Sequence, residues 1–289
     1  MTRGAEAWWG ASVESFRRGG LTFDVRDHPA GGGTAGTPTG TAVLLHGFPQ
    51  DGSAYDAVVP HLTRAGLRVL VPDQRGYSPG ARPTGRRAYG TPELVDDVLA
   101  LLDQADVRQA HVVGHDWGGA VAWALAGRHP DRVASLTALS TPHPAAMSAG
   151  RVDQLRRSSY MLWFQVPRAP EAALLRRDAR ALRRFLAGAG LEPQLVERYA
   201  RRMTEPGALT AALAWYRALP VTRGRGAGRA RVPTTYVSGR RDPFFAPGSV
   251  RATARYVTGP FQHVELDADH WLPEHRPDDV AAAVLAHLR

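Results

Sequence analysis

Apolar positions along this chain switch repeatedly between a strand-like and a helical period, and each switch marks a predicted element. Short β-branched or apolar runs at 21–25, 42–45, 69–71, 111–113, 133–139, 234–237 and 264–266 read as strands. Helical patterns separate most of them, which is the signature of βαβ units and a mostly parallel sheet. Thr91-Pro92-Glu93 supplies a hydroxyl, a first-turn proline and an acid, and Leu94, Val95, Val98, Leu101 and Leu102 then recur at helical spacing. A further helix follows Trp117; its Ala120, Val121, Ala124 and Leu125 allow close approach to a strand, and His129-Pro130 ends it. From about 143 to 220 the strand signals stop and helical patterns rich in arginine, alanine, leucine and aromatics take over. The predicted fold is therefore α/β, a mostly parallel central sheet flanked by helices, with residues 1–142 and 221–289 as the core and 143–220 as an α-helical insertion. An insertion at that edge would cover the carboxyl ends of the strands, where open parallel sheets bind ligands, and so reads as a lid. Residues 277–288 read as an amphipathic terminal helix, and the glycine-rich stretch 30–36 as a connector, since it lacks the Gly-Lys-Ser/Thr ending of a phosphate loop.

Composition narrows the picture mainly by exclusion. With no cysteine, neither disulfides nor thiolate metal sites are available. The opening MTRGAEAWWGASVESF lacks the apolar run of a signal peptide, and no stretch approaches a membrane span, so a cytoplasmic protein is expected. A net charge of +9 and a pI near 10.6 would suit an anionic partner. All 36 basic residues, however, are arginine, scattered over several predicted helices. That is codon bias more than a binding face, and the densest run, 223–231, reads as a solvated loop. No nucleic-acid or membrane partner is expected.

The chemistry is concentrated at Gly114-His115-Asp116-Trp117-Gly118-Gly119, where an aspartate occupies the nucleophile position of a strand-to-helix elbow. A serine there would attack carbonyls. A carboxylate attacking a carbonyl would give a reactive anhydride, so Asp116 suits displacement at saturated carbon and an alkyl-ester intermediate. Hydrolysing that ester needs a base. The order nucleophile, acid, histidine is completed by Asp242, after the strand at 234–237, and by His270, after the strand at 264–266. Asp267 and Asp269 are rival orienting acids, but they lie too close along the loop to face the ring. Among the eleven histidines, His46 and His115 read as structural, and His143, His263 and His275 lack the chain position of the base. No helical metal-ligand spacing with a further ligand is present, so no metal is expected. His46-Gly47-Phe48-Pro49 follows a strand; there the backbone N–H of Phe48, with that of Trp117, would form an oxyanion hole.

These residues, with Asp73-Gln74-Arg75-Gly76-Tyr77-Ser78 and with Glu274 and Pro277 near the histidine, resemble the α/β-hydrolase fold family, and within it the epoxide hydrolases that use an aspartate nucleophile. The resemblance covers nearly the whole chain. It implies a cis Phe48-Pro49 peptide, no cofactor, and a small apolar epoxide and water as reactants; it leaves the choice between monomer and homodimer open. It further implies two lid tyrosines that donate to the ring oxygen, matched by Tyr160 in Ser159-Tyr160-Met161-Leu162-Trp163-Phe164-Gln165 and by Tyr216 in Leu213-Ala214-Trp215-Tyr216-Arg217; Tyr199 and Tyr236 fit neither segment. Phe48, Trp117, Trp163 and Phe164 are the expected pocket residues, with Phe185 and Trp215 adding apolar character. A haloalkane dehalogenase is the rival, since it shares fold, aspartate and histidine and Trp117 could hold a halide; Phe48, however, cannot donate from its side chain, so a second halide donor would have to be Trp163 or Trp215. A fluoroacetate-type dehalogenase would place arginine where Trp117 stands. A catalytically silent binding protein would not need the full set of groups.

Overall fold

The computed structural model describes residues 12–31, 39–221 and 226–288. Its strands are β1 (Ser15–Arg18), β2 (Leu21–His28), β3 (Gly40–Leu45), β4 (Leu67–Pro72), β5 (Ala110–His115), β6 (Val133–Leu139), β7 (Thr234–Gly239) and β8 (Phe261–Leu266). They form one sheet in the order β1-β2-β4-β3-β5-β6-β7-β8. Pairing is antiparallel for β1/β2 and β2/β4 and parallel for every other pair. The central strands β3, β5, β6 and β7 are almost wholly buried runs of valine, leucine, alanine and threonine, as expected when helices cover both faces. Sequence periodicity missed β1, a four-residue strand that forms a hairpin with β2 and is further pinned by ion pairs of Arg18 with Glu93, Asp96 and Asp97.

The helices are α1 (Val59–Arg64), α2 (Thr91–Gln104), α3 (Trp117–Arg128), α4 (Arg151–Arg157), α5 (Tyr160–Phe164), α6 (Ala169–Gly188), α7 (Pro193–Thr204), α8 (Ala208–Ala218), α9 (Pro247–Ala252), α10 (Leu272–His275) and α11 (Pro277–Leu285). Helix α6 is broken at Arg176–Ala179, where the last three residues have positive φ. Leu101, Leu102 and Trp123 belong to an apolar core on one face of the sheet. Val58, Leu62, Val280 and Val284 belong to the core on the other. Helices α4 to α8 lie between β6 and β7 in sequence and carry no strand among them.

Chain order reverses between β3 and β5: β4 pairs on one side of β3 and β5 on the other. A crevice opens at the carboxyl ends of strands at such a switch point. Phe48, Asp116, Asp242 and His270 all follow the ends of sheet strands, namely β3, β5, β7 and β8. The helical insertion is tied to the core by polar contacts. Arg202 Nη2 meets Asp73 Oδ2 at 3.0 Å, Arg82 meets Glu205 at 2.8 Å, and the Trp215 indole donates to the Arg75 carbonyl at 2.8 Å. The motif from Asp73 to Ser78 thus acts as a brace: Arg75 itself makes a two-pronged ion pair with buried Asp97, at 2.7 and 2.6 Å. No helix among the described residues is long and apolar enough to cross a membrane. The connector at 30–36, the amino-terminal segment and the arginine run at 223–231 lie wholly or partly outside the described residues.

Candidate active site

Asp116 stands between the last residue of β5 and the first of α3, with φ 49° and ψ −117°. A positive φ is costly for a residue with a Cβ and persists only where packing imposes it. The packing here is tight: a Cβ on Gly114 would run into the Gly118 carbonyl, and one on Gly118 into the Leu45 carbonyl of the neighbouring strand. This is why the elbow needs glycine two positions before and two after the aspartate. Thr141 Oγ1 braces the turn by donating to the Asp116 carbonyl at 2.7 Å.

The carboxylate is held asymmetrically. Phe48 N–H donates to Oδ1 at 2.9 Å, and the Trp117 N–H also hydrogen-bonds the carboxylate. The Phe48-Pro49 peptide is cis. Gly47 is required beside it, because a Cβ there would collide with the Asp116 side chain. Oδ2 is left facing His270, whose Nε2 lies 3.8 Å away. Burial pushes the Asp116 carboxyl up from its ordinary value, opposed by His270 and the two amides. The start of α3 favours the charged form.

His270 Nδ1 meets Asp242 Oδ2 at 2.8 Å, and both side chains are buried. The other Asp242 oxygen accepts from the Phe244 N–H at 2.8 Å, which fixes the carboxylate plane. Burial would lower the imidazole, but the Asp242 charge and hydrogen bond, with a smaller contribution from Asp116, outweigh it and raise His270 above its ordinary value. The rival acids are engaged elsewhere: Asp267 pairs with Arg241, and Asp269 pairs with His275 at 2.9 Å. His46, His143 and His263 bond the Gly47 carbonyl, the Gly228 carbonyl and Ser238 respectively. Among the described residues no group of three or more histidine or acidic side chains could hold a metal.

A cavity of about 500 Å³ opens onto Asp116, Trp117, Tyr160 and Tyr216. The two tyrosine rings lie edge to face with centroids 6.2 Å apart. Burial, reinforced by the Asp116 charge and opposed by hydrogen bonding with Tyr216, pushes the Tyr160 hydroxyl well above its ordinary value. Burial likewise raises Tyr216, with further contributions from Tyr160 and Asp116, and a hydrogen bond with the Trp117 side chain opposes the rise. Both phenols are therefore neutral donors at neutral pH.

The pocket expectation needs correction. Trp117 lines the cavity, but Phe48, Trp163 and Phe164 do not. Helix α5 is only five residues long and can turn one face inward; Tyr160 takes it, leaving Trp163 40% exposed. Phe164 is buried behind Tyr216, with centroids 5.0 Å apart, and Phe48 packs on the same ring at 5.4 Å. Phe185 packs behind Tyr160 with the rings tilted by 50°, and Trp215 is buried against the core. The remaining walls come from Pro142, Met147, Leu155, Phe244 and Phe245 among others. Of these, Phe244-Phe245 was discoverable, since it directly follows Asp242-Pro243 and Phe244 packs edge-on to His270 at 4.7 Å.

An α/β-sheet with a carboxylate elbow, a histidine and acid on following loops, and an apolar cavity above them defines a hydrolase, and the comparisons agree. A profile of the α/β hydrolase fold matches residues 42–277, and the chain belongs to that family. It is 35% identical to the AB hydrolase superfamily protein YfhM of Bacillus subtilis, over 97% of this chain and 99% of that protein. It is 33% identical to Epoxide hydrolase A of Mycobacterium tuberculosis, over 92% of this chain and 95% of that one. The crystal structure of Epoxide Hydrolase A from Mycobacterium thermoresistibile superposes with a TM-score of 0.80 at 28% identity, covering 95% of this chain and 97% of that one.

Proposed function

We propose that the protein hydrolyses a small apolar epoxide to a vicinal diol through an ester on Asp116. The observation that carries this reading is the Asp116 carboxylate: one oxygen is held by the Phe48 amide at 2.9 Å, and the other is turned toward His270 and a cavity that Tyr160 and Tyr216 also line. The relatives named epoxide hydrolase support it.

In the first half-reaction Oδ2 attacks an epoxide carbon in line. The C–O bond to the ring oxygen breaks, and that oxygen takes a proton from the tyrosine pair, leaving a hydroxyalkyl ester. The Asp116 charge is one reason the tyrosine protons are tightly held. Alkylation removes that charge as the alkoxide forms, so the phenols become better acids when a proton is needed.

The same event prepares the second half-reaction. The Asp116 charge contributes to the raised proton affinity of His270. Once Asp116 is an ester, that contribution vanishes and the imidazole is more readily neutral, the form a base requires. His270 then takes a proton from water, which attacks Cγ, and the negative charge develops on Oδ1 between the Phe48 and Trp117 amides. The tetrahedral intermediate collapses, the bond from Cγ to the ester oxygen breaks, and that oxygen takes the proton His270 drew from water, releasing the diol; the proton left on the Asp116 carboxyl, from the same water, returns to the tyrosine. Residues 143–220 act as a lid that supplies the tyrosines and excludes water. No cofactor takes part.

A paired assay tests the substrate class. Aryl and alkyl epoxides should give diol, while matched chloro- and bromoalkanes should give no halide. Halide release without epoxide turnover would replace this reading with a dehalogenase.

A further inference from the structure

Beneath the proposed catalytic groups lies a buried polar chain that the mechanism above does not use. Gln50 is its centre. Its Oε1 accepts from the Gly47 N–H and meets His115 Nδ1, both at 2.8 Å, and its Nε2 donates to Glu274 Oε1 at 2.6 Å. Tyr199, on α7 of the insertion, donates to the same Glu274 oxygen at 2.8 Å. At the far end His115 Nε2 lies 2.8 Å from the carbonyl oxygen of His270, which Ser140 Oγ also contacts at 2.7 Å. Four segments meet in this chain: the Phe48 turn, the nucleophile elbow, the His270 loop and the insertion.

Counting hydrogens along it gives a definite answer. Both ring nitrogens of His115 face carbonyl oxygens, yet a neutral imidazole donates from only one of them. Reversing the Gln50 amide does not help, because its NH₂ group would then confront the Gly47 N–H. The ring completes both bonds only when it carries two protons. Burial and the neighbouring His270 and His46 rings push a lone His115 imidazole well below its ordinary value, opposed by its bond to the His270 carbonyl. Burial also raises Glu274, opposed by its bonds from Gln50 and Tyr199. As separate ions both would be costly; as a pair joined across one amide each offsets the other. Protonating Glu274 would not relieve it: on Oε2 the added hydrogen would have no acceptor, and on Oε1 it would only reverse the Tyr199 bond and leave the phenol hydrogen without its acceptor.

We infer that His115 and Glu274 form a buried ion pair bridged by the Gln50 amide, and that this pair is a positioning device which holds the base-bearing His270 loop in register with the Phe48 donor. The kinetic part of this inference rests on the proposed epoxide-hydrolase reading; the charge state does not.

The test is ¹⁵N NMR of histidine ring nitrogens in the full chain at pH 8, with the His115 signals assigned by their loss in His115→Asn. Two protonated ring nitrogens are expected in the wild type, and conversion to a singly protonated tautomer in Glu274→Gln. A bare nitrogen on His115 in the wild type, or a doubly protonated ring persisting in Glu274→Gln, overturns the ion pair. If Glu274→Gln does not fold, the wild-type spectrum alone decides. In single turnovers Glu274→Gln should slow ester hydrolysis about 10- to 100-fold, the scale of a small misplacement of a reacting group, with alkylation within about twofold. Equal slowing of both steps refutes the positioning role; failure of every epoxide to react refutes the proposed function and leaves the spectrum to judge the pair.

Discussion

Replacing Asp242 with asparagine should separate the two half-reactions. Asp242 uses one oxygen for the Phe244 N–H, at 2.8 Å, and the other for His270 Nδ1, at 2.8 Å. In Asp242→Asn the amide oxygen is retained by the Phe244 N–H, so the NH₂ group is turned toward His270. The ring must then offer a lone pair at Nδ1 and carry its proton on Nε2, where it cannot accept one from water. The lost charge adds to this. A carboxylate and an imidazolium with centres about 4 Å apart interact by about 4 kcal/mol at an effective dielectric of ~20. That is about a thousandfold in the rate of a step that forms the imidazolium. Alkylation forms no imidazolium and should change little. Rapid mixing with excess enzyme, followed by intact-protein mass spectrometry, reads both steps: the variant should acquire the mass of the epoxide and lose it roughly 10³ times more slowly than wild type. Steady-state turnover within tenfold of wild type, or equal slowing of both steps with no adduct, would refute the reasoning.

Three further outcomes follow from the same geometry. Tyr160→Phe and Tyr216→Phe each remove one donor to the ring oxygen and should slow alkylation about 10²-fold, with the double variant nearly inactive but folded by circular dichroism; full activity in the double variant would remove the tyrosines from the chemistry. Gly118→Ala drives a methyl group into the Leu45 carbonyl, a backbone atom that cannot rotate away. It should cost at least about 3 kcal/mol of stability in urea unfolding, the upper end of overpacking effects, and a wild-type midpoint would contradict it. His275 is raised to about 9 by its hydrogen bond to Asp269, against burial and with help from Glu192. Its stabilisation is complete below its ordinary value of about 6.5 and lost as pH rises through about 9, so wild-type unfolding free energy should fall across that interval more steeply than that of His275→Gln; parallel curves would contradict it.

What the sequence revealed depended on how local the physics was. The elbow, the order of Asp116, Asp242 and His270, and the strands they follow are visible because each is a short motif beside a strand signal. Strand β8 was legible only over its second half: Phe261 to His263 alternate without a strongly apolar face. The cavity walls were not legible. Whether Trp163 points inward depends on which face the short helix α5 turns to Tyr216 and Phe244, a tertiary choice that aromatic content does not encode. The chain from Tyr199 through Glu274 and Gln50 to His115 joins residues up to 224 positions apart, 274 minus 50, and none of these pairs has a spacing that would announce it. Tyr199 fits neither tyrosine context of the resemblance, yet it meets Glu274 because α7 crosses the His270 loop.

The central claim is a covalent ester on Asp116, and its most direct measurement is the intact mass of His270→Gln after incubation with an epoxide the wild type turns over. With the base gone and Oδ2 of Asp116 still facing the cavity, the protein should gain one epoxide mass per chain, and peptide mapping should place it on Asp116. An unmodified His270→Gln that still binds the epoxide, or an adduct on any other residue, would contradict the account.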